Sequence, residues 1–251
     1  MCKIKVVILF LIFILFTPIY FAQETIDISC FHCHTTELKE YKYSIHYTNN
    51  ILCTDCHGGK TKISNNTVSV DVMSNEINYK YVCSKCHEKE DEEFKNSIHS
   101  KSGGVYCTDC HDIHAILTKN DKYSPIYVDN IPLTCSKCHE NQSKMQAWYY
   151  GIKTDRFDTY KNSFHYKSYL SGGKILATCS DCHEKHDIRP EDDPRSAIYS
   201  SNLPSTCGKD NCHIGAKNVF ISGKVHEEQS VKLFSVDAKA LITYFYIIMI
   251  I

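Results

Sequence analysis

Apolar residues gather at the two ends of this chain and are thinly spread between them. Residues 6–16 form an unbroken apolar run behind Lys3 and Lys5, and residues 240–251 form a second, interrupted only by Thr243. With both ends set aside, roughly 210 residues remain, enough for one or two domains. That middle is polar and rich in tyrosine. Period-two alternation is scarce and no long amphipathic stripe is sustained. Short helices are predicted at residues 35–47, 88–100, 142–150 and 219–227. The expected fold is mainly α, with much irregular structure and few or no strands. So little aliphatic material cannot build an ordinary core, so something other than side chains must fill it.

The cysteines suggest what. Fourteen of 15 fall in seven pairs, and each pair is followed at once by histidine. Six read C-x-x-C-H: Cys30, Cys33 and His34; Cys53, Cys56 and His57; Cys83, Cys86 and His87; Cys107, Cys110 and His111; Cys135, Cys138 and His139; Cys179, Cys182 and His183. The seventh, Cys207, Cys212 and His213, has four residues between its cysteines. Zinc sites and disulfide frameworks also use cysteine pairs, but neither needs a histidine after every second cysteine. A thioredoxin-like redox pair would occur once, beside a βαβ pattern that is absent here. Covalent c-type haem accounts for the whole motif: two thiols add to the porphyrin vinyl groups and the histidine is the proximal iron ligand. Seven haems are expected, and the porphyrins would be the missing core.

Of the 14 histidines, seven are those proximal ligands. The others are His32, His46, His99, His114, His165, His186 and His226. One spare histidine per haem is what bis-histidine iron requires. Methionine, the usual alternative, occurs only four times, two of them at the chain ends. His46, His99, His114, His165, His186 and His226 are the candidate distal ligands, with His32 a further possibility inside the first motif.

The spare histidines recur in phrases that define a repeat. Ser-x-His ends at His46, His99 and His165, with a looser copy ending at His226, while His114 and His186 each follow a motif by three residues. The unit reads as an opening motif, a polar helical stretch, Ser-x-His, a short loop and a closing motif, Cys-x-Asp-Cys-His. Units run from 30 to about 80, 81 to 130 and 131 to 202, and a half unit follows. Matching each opening motif to a Ser-x-His phrase leaves the Cys53–His57 haem without a partner. Either His32 serves it or its iron is five-coordinate. His114 and His186, three residues beyond a proximal histidine, would share its face of a helix and must therefore reach a different iron. Pro132 and Pro204, at unit boundaries, are expected to favour extended or turning backbone and to end helices.

Charge and chain ends bound the setting. The formal charge is −1, which argues against nucleic acid as a partner. The acid-rich stretches 88–93 and 191–193 read as solvated faces, or alternatively as docking patches for a basic redox partner. Residues 1–22 look like an export signal, with an uncleaved anchor as the alternative. Export suits covalent haem attachment and a periplasmic or cell-surface location. Residues 23–130 then form a module with four haems and 131–230 one with three. Residues 231–251 begin an apolar segment, too short to span a bilayer, that is expected to continue into membrane in a longer chain; a tail packed on the domain is the alternative.

Over residues 30 to about 228 the chain resembles bacterial multihaem c-type cytochromes with doubled C-x-x-C-H motifs. The shared phrases are Ser-x-His before Cys-Thr-Asp-Cys-His (97–111), Cys-His-x-x-His (110–114 and 182–186) and Pro-x-Thr-Cys (132–135 and 204–207). The C-x4-C-H variant is similar to one in low-potential tetrahaem cytochromes of sulfate reducers. Residues 220–226 and the apolar run look like members whose haem domain leads into a membrane cytochrome b-like part. The resemblance implies electron transfer between a quinol-linked membrane donor and periplasmic or extracellular acceptors, with redox proteins as partners and oligomeric state open. Two other readings are carried: an oxidoreductase of nitrite or hydroxylamine type with an open iron at Cys53–His57, and a subunit of an extracellular cytochrome filament.

Overall fold

The computed structural model describes residues 30–31, 33–58, 60–64, 67–71, 79–147, 153–172, 177–209, 212–215, 225–226, 232–233, 236–237 and 248. The export signal expected at residues 1–22, His32, most of the 219–227 helix and most of the 231–251 segment lie outside them. No helix among the described residues is long and apolar enough to cross a membrane.

The architecture is helical and irregular. In chain order come α1 (Thr35–Tyr41), α2 (Ile45–Thr48), α3 (Cys53–His57), an antiparallel hairpin of β1 (Lys60–Ser64) and β2 (Thr67–Asp71), and α4 (Tyr79–Val82). A 3-10 turn at Cys83–Lys85 leads to α5 (Glu88–Asn96), α6 (Ile98–Ser102), α7 (Cys107–His111), α8 (Ile131–His139) and α9 (Gln142–Ala147). Then follow α10 (Arg156–Lys161), α11 (Phe164–Leu170), α12 (Cys179–His183), α13 (Leu203–Gly208) and a minimal hairpin, β3 (Lys232–Leu233) with β4 (Val236–Asp237).

The helix predicted at 35–47 is two helices, and so is the one at 88–100. The reason is serine. Ser44 (φ −68°, ψ 143°) and Ser97 (φ −65°, ψ 151°) are extended, and each hydroxyl accepts from the backbone N–H two residues on, at His46 and His99, both 3.1 Å. These are N-caps, which end one helix and start the next. Ser163 caps α11 in the same way, accepting from Tyr166 at 3.3 Å. Ser-x-His is therefore a helix start that fixes a histidine in the first turn.

Proline also opens helices here. Pro132 and Pro204 lie in the first turn of α8 and α13, where a missing N–H costs nothing, so the expectation that they end helices is corrected. The connectors leading to them are copies. Ser124 and Ser196, both fully buried, donate to the Leu117 and Arg189 carbonyls at 3.3 and 3.2 Å. Asn130 bonds the Lys122 and Ser124 carbonyls; Asn202 bonds those of Pro194 and Ser196, all at 2.8 or 2.9 Å. Thr134 and Thr206 close the turns on Pro125 and Ala197. Every partner in the second copy lies 72 positions after its counterpart.

Units are laced to their neighbours. The Ile45 N–H donates to the Ile116 carbonyl and the Ile98 N–H to the Ile188 carbonyl, both at 2.8 Å. The second of these joins the two haem modules expected from the sequence. Among the described residues the only buried hydrophobic side chains are Met145 and Tyr160; the fully buried ones are Ser44, Ser97, Ser124, Ser196 and Thr178. The polypeptide encloses hydroxyls bonded to backbone, not an aliphatic core.

Candidate haem-binding site

Each closing motif is a single helical turn with a built-in cap. The aspartate between its cysteines is the third helical residue and accepts from the backbone N–H just before the first cysteine: Leu52 to Asp55 at 2.6 Å, Tyr106 to Asp109 at 2.7 Å, Thr178 to Asp181 at 2.7 Å. This explains the aspartate in Cys-x-Asp-Cys-His. The turn sets both thiols on one side, three residues apart.

The chain then bends sharply. Gly58, Asp112 and Glu184 follow the three closing histidines with φ of 70°, 64° and 68° and ψ of −166°, −179° and 178°. That region belongs almost wholly to glycine and costs other residues on the order of 1–3 kcal/mol. Asp112→Gly and Glu184→Gly are each expected to raise stability by about 1 kcal/mol. A denaturant midpoint that falls in both variants would contradict this reading. The bend also corrects a premise. His114 and His186 do not continue the motif helix; they leave it past the bend, pointing to other motifs.

Six pairs of imidazoles face each other, each pairing one motif histidine with one spare. His46 faces His87 at a ring-centre distance of 6.1 Å, His57 faces His114 at 6.3 Å and His99 faces His139 at 6.0 Å. His111 faces His186 at 6.1 Å, His165 faces His213 at 6.0 Å and His183 faces His226 at 6.3 Å. Two metal–nitrogen bonds of about 2 Å, with about 1 Å from each ring centre to its nitrogen, need roughly 6 Å. The gaps therefore fit one iron each.

The sequence leaves open which spare histidine meets which motif, and the facing pairs do not follow the matching of phrases within a unit. Each Ser-x-His reaches forward to the opening motif of the next unit, and each trailing histidine reaches back to the closing motif of the previous one. The cause is the lacing: Ile45 is tied to Ile116, so His46, next in the chain, is held against the following unit. His226 faces a closing histidine, His183, not the opening one at His213. His57, expected to lack a partner, faces His114. Among the described residues it is His34 that has no imidazole opposite, with Glu37 3.8 Å from its Nδ1.

The histidines are prepared for metal. Burial, with the facing imidazole as the second cause, lowers His46, His57, His99, His111, His165 and His183, His99 and His183 to about 4. Burial and then the Arg156 guanidinium lower His139 and His226. All stay neutral near pH 7, the form that ligates iron.

Three residues that sequence reading missed stand beside the spare histidines. Glu40 Oε2 lies 3.6 Å from His114 Nδ1, Glu93 Oε2 lies 3.4 Å from His186 Nδ1, and Thr159 Oγ1 lies 2.9 Å from His226 Nδ1. Each stands six positions before a Ser-x-His histidine, which is the signal that could have found them. Glu93, in one of the acid-rich stretches read as solvated, is thus turned toward a histidine, and Asp193, in the other, pairs with Arg189 and Arg195.

The thiols give an order to the motifs. Cys53 is pushed up to about 11 by burial and by Cys30, and the neighbouring thiols Cys83 and Cys107, and Cys135 and Cys179, shift one another. Cys86 acts on Cys56, Cys138 on Cys110 and Cys207 on Cys182. First cysteines meet within a unit and second cysteines meet the next unit, so neighbours in sequence are neighbours in space. Among the described residues no group of three or more His, Cys, Asp or Glu converges as a metal site. Zinc would need such convergence. A porphyrin brings four nitrogens of its own, so two facing imidazoles suffice.

No protein-family model and no solved structure matches the chain. A curated relative is the multiheme cytochrome MtrA of Shewanella baltica (strain OS185), 26% identical over 129 residues, which are 50% of this chain and 35% of that protein. The match spans about a third of the relative's length. Over half of its length, then, the chain is distantly similar to a multihaem cytochrome.

Proposed function

We propose that the chain carries seven c-type haems and transfers electrons along them, between a quinol-linked membrane donor and periplasmic or extracellular acceptors. The observation that supports this best is the set of six facing imidazole pairs, each one motif histidine and one spare. When bound, haem supplies reversible one-electron chemistry between ferric and ferrous iron. The chain's residues would do the rest: the cysteines would attach each porphyrin, the facing imidazoles of six motifs would ligate its iron, and the order of the motifs would set a line.

Filled axial positions leave no room for substrate, which favours electron transfer over the nitrite or hydroxylamine type of chemistry. Export to the periplasm or cell surface goes with this reading, since c-type attachment takes place outside the cytoplasm. Carbon monoxide provides the test. Added to fully reduced holoprotein, it should bind at no more than one haem, the one at Cys30–His34. Binding at several haems would show open irons and favour an enzyme.

The donor is tested separately. If quinol-linked electrons enter at the Cys207–His213 end, His213→Ala should block reduction by quinol while leaving reduction by dithionite. Equal slowing of both would count against that end as the donor site.

A further inference from the structure

We infer that the haems of residues 135–183 form the high-potential stretch of the line, because the group beside the axial histidines changes from carboxylate to neutral along the chain up to that point. This rests on the bis-histidine reading above and deepens it. The three closing pairs differ at one position. Glu40 stands by His114, Glu93 by His186 and Thr159 by His226. A carboxylate at the outer nitrogen makes an imidazole a stronger donor and favours ferric iron; a hydroxyl does so far less.

The opening motifs run the same way. Glu37 and Glu90 lie 3.8 and 3.9 Å from Nδ1 of His34 and His87, three residues on, and in sequence Gln142 takes that place after His139. A cation adds to the trend. Arg156 begins α10 and acts on His139, His183 and His226, where positive charge favours the ferrous state. Asp155 opposes it at His226.

Electrons added to the oxidised protein therefore settle first on the haems of residues 135–183, while Asp181 acts on His165 of the last pair. Each step moves one electron, reducing one ferric iron to ferrous and leaving its donor oxidised by one; no bond is made or broken.

The test is a redox titration of holoprotein, read in the visible haem bands, with low-temperature paramagnetic resonance on the same samples. Glu93→Thr should move one component to higher potential, and Thr159→Glu should move one to lower potential. Arg156→Gln should lower the upper part of the curve and leave the lower part in place. Low-spin spectra should be kept in all three. Unchanged curves in the two position swaps, or a Thr159→Glu shift upward, would overturn the gradient. His186→Ala separates the two levels of argument. If it gives a high-spin haem while the swaps are silent, the ligand pairing stands and the gradient fails. If it leaves every haem low-spin, the pairing itself fails and the gradient falls with it.

Discussion

Produced in a host that cannot attach haem, the chain will lose most of its helical circular dichroism signal. Two buried apolar side chains, Met145 and Tyr160, are all that the described residues offer as a hydrophobic core. Burying them cannot offset the entropy of ordering the chain. The buried serines satisfy backbone groups but add little net stability, about 1 kcal/mol per hydrogen bond. On the proposed reading, porphyrins would supply the missing apolar surface. An apoprotein retaining native helix would sink this account of the core.

His114→Ala will convert a single haem, that of Cys53 and His57, from low-spin to high-spin. His114 faces His57 at 6.3 Å and stands beside Glu40 of another segment, so its loss opens one axial position and no other. The paramagnetic resonance of the oxidised variant should gain one high-spin signal, and its reduced form should bind carbon monoxide at one more site than the parent. A high-spin change at the Cys107–His111 haem instead would contradict the facing pair. No change at all would remove His114 from the ligand set.

Much of the candidate site was legible because the proposed chemistry is written in short, local motifs. Cysteine pairs with a following histidine declare themselves in five or six residues, and a count of spare histidines implies a second ligand. The helical, strand-poor character followed from the missing apolar periodicity. What could not be read was which spare histidine faces which motif histidine. That depends on Ser44 and Ser97 breaking helices that the local pattern would continue, and on backbone bonds such as Ile98 to Ile188 that join segments 90 residues apart. The φ of 64° at Asp112 redirects the chain from a residue type that gives no such sign. Glu40, Glu93 and Thr159 escaped notice because a polar helix face looks solvated until another unit brings a histidine to it. Prolines were misread for a related reason: Pro132 and Pro204 stop a preceding helix and start the next equally well, and only the asparagine-pinned turns before them decide which.

The account is tested most directly by the spin state of every haem in the intact oxidised protein, with haem number fixed by its mass. It predicts seven attached haems, of which at least six are low-spin with two nitrogen ligands, any exception lying at Cys30–His34. Fewer than seven haems by mass, or two or more high-spin irons in the resting protein, would contradict it.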